Sequence, residues 1–138
     1  MYNRKVNGME GRILIVDDAL FMRGVLKKML EENGYTVVGE AANGLEAIEK
    51  YKELKPDLLT MDITMPDMTG LEAVKAIRGI DSKARIVMCS AMGQNAMVME
   101  AVQNGAIDFI IKPFKASTVL ATLKRCKALS NWDREESK

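Results

Sequence analysis

Five short apolar runs recur along the chain: Ile13-Leu14-Ile15-Val16, Thr36-Val37-Val38, Leu58-Leu59-Thr60-Met61, Ile86-Val87-Met88-Cys89 and Phe109-Ile110-Ile111. Several are apolar at successive rather than alternate positions. A strand written that way has both faces covered, the habit of a parallel sheet sandwiched between helices. The second run is the most mixed and is expected at a sheet edge. Between the runs lie amphipathic stretches. Phe21, Val25 and Met29 recur every four residues, beside Met22, Leu26 and Leu30. Leu45, Ile48 and Tyr51 mark a second stripe, and Leu71, Val74 and Ile77 a third. Met97 and Ala101, with Val98 and Val102, mark a fourth; Val119, Leu123 and Cys126 mark a fifth.

The punctuation agrees with this alternation. Asn43 with Glu46, and Thr69 with Glu72, have the spacing of capping boxes. Gly34 and Gly105 fall where left-handed helix stops are needed. Pro56 comes just after the second helical stretch. The pattern is therefore (βα) repeated five times, an open α/β domain.

At 138 residues and 48% apolar content, the chain has the size of one domain. A domain of this size buries roughly two thirds of its unfolded surface, so it needs no disulfide or structural metal. Residues 1–10 are polar and expected to be flexible, 11–130 form the domain, and 131–138 are a polar tail. Trp132 is the only residue in that tail with something to bury. The net charge of +1 argues against nucleic-acid binding driven by bulk charge. The chain has no histidine. This removes imidazole bases, His-ligated zinc and a phosphohistidine of its own. Cys89 and Cys126 stand far apart and read as two reduced thiols in a core. No run reaches the length of a membrane span, and no apolar signal core succeeds the basic start. A cytoplasmic location is expected.

The polar residues at the ends of the apolar runs carry the chemistry. The first run ends in Asp17-Asp18, the third in Asp62, the fourth in Ser90 and the fifth in Lys112. In a parallel sheet these emerge at one carboxyl edge, where open α/β folds bind ligands. Each residue alone has a plain structural explanation, such as a helix cap, a turn or a surface charge. Their conjunction does not. Asp57 and Asp108 sit at strand entrances and read as ordinary charges of the opposite edge. Three adjacent carboxylates raise one another's pKa. Lys112 offsets part of that charge, and a divalent cation would offset more. Mg²⁺ suits oxygen ligands and binds through one or two carboxylates plus phosphate. The set reads as a Mg²⁺-assisted phosphoryl site: Asp17 and Asp18 on the metal, Asp62 the nucleophile, Lys112 and Ser90 on the phosphoryl oxygens. Glycine-rich phosphate cradles are missing from the sequence, which disfavours nucleotide and flavin binding.

ILIVDD at 13–18, LLTMDITMPDMTG at 58–70, CSAMGQ at 89–94 and FIIKPF at 109–114 resemble the receiver domain of two-component response regulators. The similarity spans about residues 11–130. MDITMP, CSAMGQ and the length are nearest to the family's single-domain chemotaxis regulators. The resemblance implies a flavodoxin-like, doubly wound parallel sheet of five strands in the order 2-1-3-4-5. It implies that Asp62 accepts the phosphoryl group and joins Asp17, Asp18 and the Thr64 backbone carbonyl around Mg²⁺. Lys112 would contact the phosphoryl group, and the bond to Pro113 would be cis. Ser90 would be the switch hydroxyl and Phe109 the switch aromatic, here lacking the tyrosine hydroxyl common at that place.

The expected partners are a chemotaxis-type histidine kinase, a flagellar motor switch or other output protein, and a phosphatase. The domain is expected to be a monomer. It is expected not to be an enzyme beyond promoting its own aspartyl phosphorylation and dephosphorylation. Met92 and Met99 are candidates for an adaptable binding surface, whereas Met97 is expected to fill the core. Lys115, Lys124, Arg125 and Lys127 give the last helix a basic face, solvated by default. The alternatives are a phosphorelay intermediate, a detached receiver of a transcription factor and a small aspartyl-phosphate phosphatase. The last would want a second acid two residues after Asp62, where Thr64 stands.

Overall fold

The computed structural model describes residues 10–130 and residue 132. The expected flexible segment at 1–10 and the tail at 131–138 therefore lie largely outside the described residues. Five strands alternate with five helices: β1 Gly11–Val16, α1 Leu20–Glu31, β2 Tyr35–Ala41, α2 Gly44–Leu54, β3 Leu58–Asp62, α3 Gly70–Ile80, β4 Ile86–Ser90, α4 Asn95–Gln103, β5 Asp108–Ile111 and α5 Ala116–Leu129. The strands form one parallel sheet in the order β2-β1-β3-β4-β5. The mixed second run is indeed at an edge.

Successive residues of each inner strand supply opposite cores. Leu14, Val16, Leu59, Met61, Ile86 and Met88 face α2, α3 and α4, packing with Val74, Ile77 and Val98. Ile13, Ile15, Leu58 and Val87 face α1 and α5, packing with Leu26, Leu30, Val119, Leu123 and Trp132. Full burial of such a side chain contributes about 1.5–3 kcal/mol. That double demand explains the unbroken apolar runs.

The helix ends close as the sequence predicts, with one variation. Thr69 and Glu72 form a complete capping box. At α2 the Asn43 side chain accepts from the Glu46 N–H, but the Glu46 carboxylate accepts from Ala42 rather than from Asn43. Gly34 and Gly105 have positive φ, as does Gly93. Lys55 also takes a left-handed conformation, with φ of 46°, at the end of α2. No glycine marks that stop.

The helical stripes are narrower than their sequence periodicity. Phe21, Leu45 and Met97 are exposed, at 77%, 60% and 37%, and Val102 is exposed too. The expectation that Met97 fills the core is corrected. A helix lying on a sheet covers only one arc of its circumference. In α1 that arc is centred on Leu26 and Leu30, in α2 on Ala47 and Tyr51, and in α4 on Val98 and Ala101. No helix among the described residues is long and apolar enough to cross a membrane.

Candidate phosphoryl and metal site at the carboxyl edge

The sheet brings the polar strand ends together. Asp17 comes directly after β1, and its N–H donates to the Ala41 carbonyl of β2 at 3.0 Å. One carboxylate oxygen accepts the Ala19 N–H at 2.9 Å, where α1 begins. The other lies 2.8 Å from the Lys112 ammonium. Asp17 is thus both a helix-start acceptor and part of the cluster. Asp62 closes β3 beside Cys89 of β4. Its Oδ1 accepts the Thr64 N–H at 3.3 Å, and its Oδ2 lies 3.5 Å from Lys112 Nζ. Asp17 and Asp62 are buried, whereas Asp18 is exposed at the mouth. Carboxylate oxygens of all three approach within 4.8 Å of one another.

Ser90 closes β4 and is buried; its carbonyl accepts the Lys112 N–H at 2.8 Å. The Lys112–Pro113 peptide is cis. Asp57 and Asp108 lie at the strand entrances, as expected. Phe109 sits on β5 and is 42% exposed.

Burial pushes the Asp62 carboxyl above its ordinary value; Lys112 opposes that shift, and the Asp17 charge adds to it. Burial pulls the Lys112 ammonium down, but the hydrogen bond to Asp17 and the charges of Asp62 and Asp17 leave it raised overall. One cation, Lys112, therefore serves the two buried acids, and Asp18 adds a third carboxylate to the cluster. The donors are all carboxylate oxygens. This donor set fits a hard divalent cation such as Mg²⁺, which prefers oxygen and relieves like-charge repulsion. It does not fit a soft metal, because the nearby Cys89 thiol is buried and pushed up to about 12.

Three contributors to the site carry no signal in the sequence pattern. The Arg23 guanidinium donates to the Asp17 carbonyl at 2.6 Å and to Glu40 at 2.9 Å, fixing the turn after β1. Asp67 accepts the N–H groups of Gly44, Leu45 and Met68, each at 2.9 Å. It thereby fastens the loop bearing Thr64 to the open amino end of α2. Gln94 donates to the Thr64 hydroxyl at 3.0 Å and accepts the Ala91 N–H at 2.7 Å. These partners are remote in sequence or lie in a loop, so no periodicity announces them.

The family model for the response regulator receiver domain matches residues 13–124. The chain belongs to the response regulator receiver family. It is 60% identical over 114 residues to the chemotaxis protein CheY of Thermotoga maritima, covering 83% of this chain and 95% of that one. It is also 60% identical over 117 residues to CheY of Bacillus subtilis, covering 85% and 98%. A crystal structure of a CheX-CheY-BeF3-Mg²⁺ complex from Borrelia burgdorferi superposes with a TM-score of 0.78 at 36% identity, covering 86% of this chain and 87% of that one. This receiver is thus a CheY-like response regulator of chemotaxis two-component systems. Its strand order and five-fold βα architecture are those the resemblance implied.

Proposed function

We propose that Asp62 is the phosphoryl acceptor of this receiver, supplied by a chemotaxis-type histidine kinase. The observation that carries this is the placement of Lys112 between Asp17 and Asp62, with Asp18 completing a carboxylate cluster at the sheet's carboxyl edge. The P–N bond of a phosphohistidine on the kinase breaks as an Asp62 oxygen forms the new P–O bond. The electron pair returns to the departing imidazole. The lack of histidine in the chain suits a receiver whose donor is another protein. Asp17, Asp18, Asp62 and the Thr64 carbonyl would hold Mg²⁺, which when bound supplies charge neutralisation for the transferring oxygens. Lys112 steers the phosphoryl oxygens and offsets part of the added charge, about −1.5 to −2. The domain that does this is residues 11–130, working in the cytoplasm.

The output face is the groove beside β5. Met92, Phe109, Ile111, Lys115, Thr118 and Arg125 line a depression of about 710 Å³. Ser90 is buried on β4 beside Ile111, which lines the groove, and Phe109 is half-exposed in it. Rotation of Ser90 toward the new phosphoryl oxygens vacates space into which the Phe109 ring turns, reshaping the groove for a motor-switch or other output protein. A CheX-like protein is a second partner. The receiver acts as a switch and promotes only its own phosphorylation and dephosphorylation.

Incubation with acetyl phosphate and Mg²⁺ should label the wild-type chain once, and EDTA should suppress labelling. Unchanged labelling in EDTA would refute the metal's part.

A further inference from the structure

Gln94 stands at the N-cap position of α4, yet its side chain caps nothing. Glutamine is not among the preferred N-cap residues. Gly93, with φ of +91°, turns the chain immediately before it. The side chain instead folds back over its own loop. Its carbonyl oxygen accepts the Ala91 N–H at 2.7 Å, and its amide donates to the Thr64 hydroxyl at 3.0 Å. One side chain thus joins the two loops that flank Asp62. Each loop is also tied directly to the site. The Thr64 N–H donates to Asp62 Oδ1. Ala91 is next to Ser90, whose carbonyl holds the Lys112 N–H.

We propose that Gln94 is a positioning residue that clasps these loops in the unmodified state and opposes switching. The inference rests on the reading of Asp62 as acceptor and of Ser90 as the group that turns toward it. On this reading the turn of Ser90 draws the Ser90–Ala91 segment away from the loop of Thr64. Gln94 resists that shift because its two hydrogen bonds together span the gap. Removing the clasp should therefore favour the modified arrangement. A ligand's apparent affinity scales with the population of its binding-competent state. The net worth of one such hydrogen bond converts to about a 2- to 10-fold change.

The test uses the full chain, with Gln94→Leu, Thr64→Val and the double variant. Two readouts are taken: amide hydrogen exchange at Ala91 without metal, and affinity for beryllofluoride with Mg²⁺. Gln94→Leu should speed Ala91 exchange and tighten beryllofluoride binding about 2- to 10-fold. Thr64→Val should tighten binding too, and the double variant should add little beyond either single one. Matching circular dichroism and thermal melts confirm that the variants fold. Unchanged exchange at Ala91, or unchanged or weaker beryllofluoride binding in Gln94→Leu, overturns the clasp while leaving the Asp62 assignment intact. Wild-type chain that fails to bind beryllofluoride with Mg²⁺ overturns that assignment and the proposed coupling together.

Discussion

The two edges of the sheet use the same residue types to opposite ends. At the amino edge both Asp57 and Asp108 have dedicated partners. Asp57 accepts the Arg12 N–H at 2.8 Å, and its carbonyl takes a guanidinium N–H of Arg85 at 3.3 Å. Asp108 pairs with Arg125 at 2.7 Å and accepts the Phe109 N–H. Trp132 is fully buried there against Gly11, with the Arg85 and Lys127 cations 5.8 and 5.6 Å from its ring. At the carboxyl edge Asp17 and Asp62 share one lysine, and Asp18 stands beside them without a share in it. An edge whose acids each have their own partners stabilises. An unbalanced one stores repulsion that a divalent cation can relieve. How each acid is partnered, not residue type, distinguishes the two edges.

The sharpest break between the edges should come from asparagine substitutions. Asp62→Asn should cut phosphoryl labelling by acetyl phosphate at least about 100-fold, because the amide cannot act as the nucleophile. Asp57→Asn at the other edge should leave labelling within about twofold. Comparable losses in both would erase the distinction between the edges.

Trp132→Ala should act in the opposite sense. Removing a buried indole costs about 3–5 kcal/mol, read as a lower midpoint in urea unfolding. Labelling should persist wherever the variant is folded. A loss below about 1 kcal/mol would mean that the amino edge does not rest on this residue.

Thr60 gives a smaller effect. It lies on β3 between Ile15 and Val87, and its buried hydroxyl has no hydrogen-bond partner. Thr60→Val keeps the shape and removes an unsatisfied group, so it should stabilise by about 1 kcal/mol in the same assay. Destabilisation would show that the hydroxyl is satisfied in solution.

The subtlest effect concerns pH. The Gly44 N–H, with those of Leu45 and Met68, holds the exposed Asp67 carboxyl below its ordinary value of 3.8, burial opposing only in part. The ionised form is therefore favoured in the folded chain. The stability it lends is present above the ordinary value and lost as pH falls through the lowered one. Asp67→Asn should flatten the acid limb of stability against pH below about 4. An acid limb identical to wild type would detach Asp67 from the fold's pH response.

Much of the fold and site is legible in the sequence because it is local or doubly constrained. Runs such as Ile13–Val16 must satisfy two cores at once, so their unbroken hydrophobicity declares a parallel inner strand. Once the strands are parallel, Asp17, Asp18, Asp62, Ser90 and Lys112 share an edge by topology alone. Thr69 and Glu72 lie three residues apart, and their box can be read directly. The features that escape depend on tertiary contact. Periodicity gives a helix's apolar face but not the width that the sheet covers, so Phe21, Leu45 and Met97 read as core and are exposed. Asp67 caps a helix that begins 23 residues earlier. Gln94 reaches across 30 residues to Thr64. Lys55 adopts a left-handed turn without the glycine that would signal it.

The central claim is that the unbalanced carboxyl edge is where this receiver is modified. Peptide mapping by mass spectrometry, after acetyl phosphate treatment with Mg²⁺ and hydride trapping of the acyl phosphate, tests it most directly. A single modified residue at Asp62 is predicted. Modification at Asp57, Asp108 or any serine, with Asp62 untouched, would contradict it.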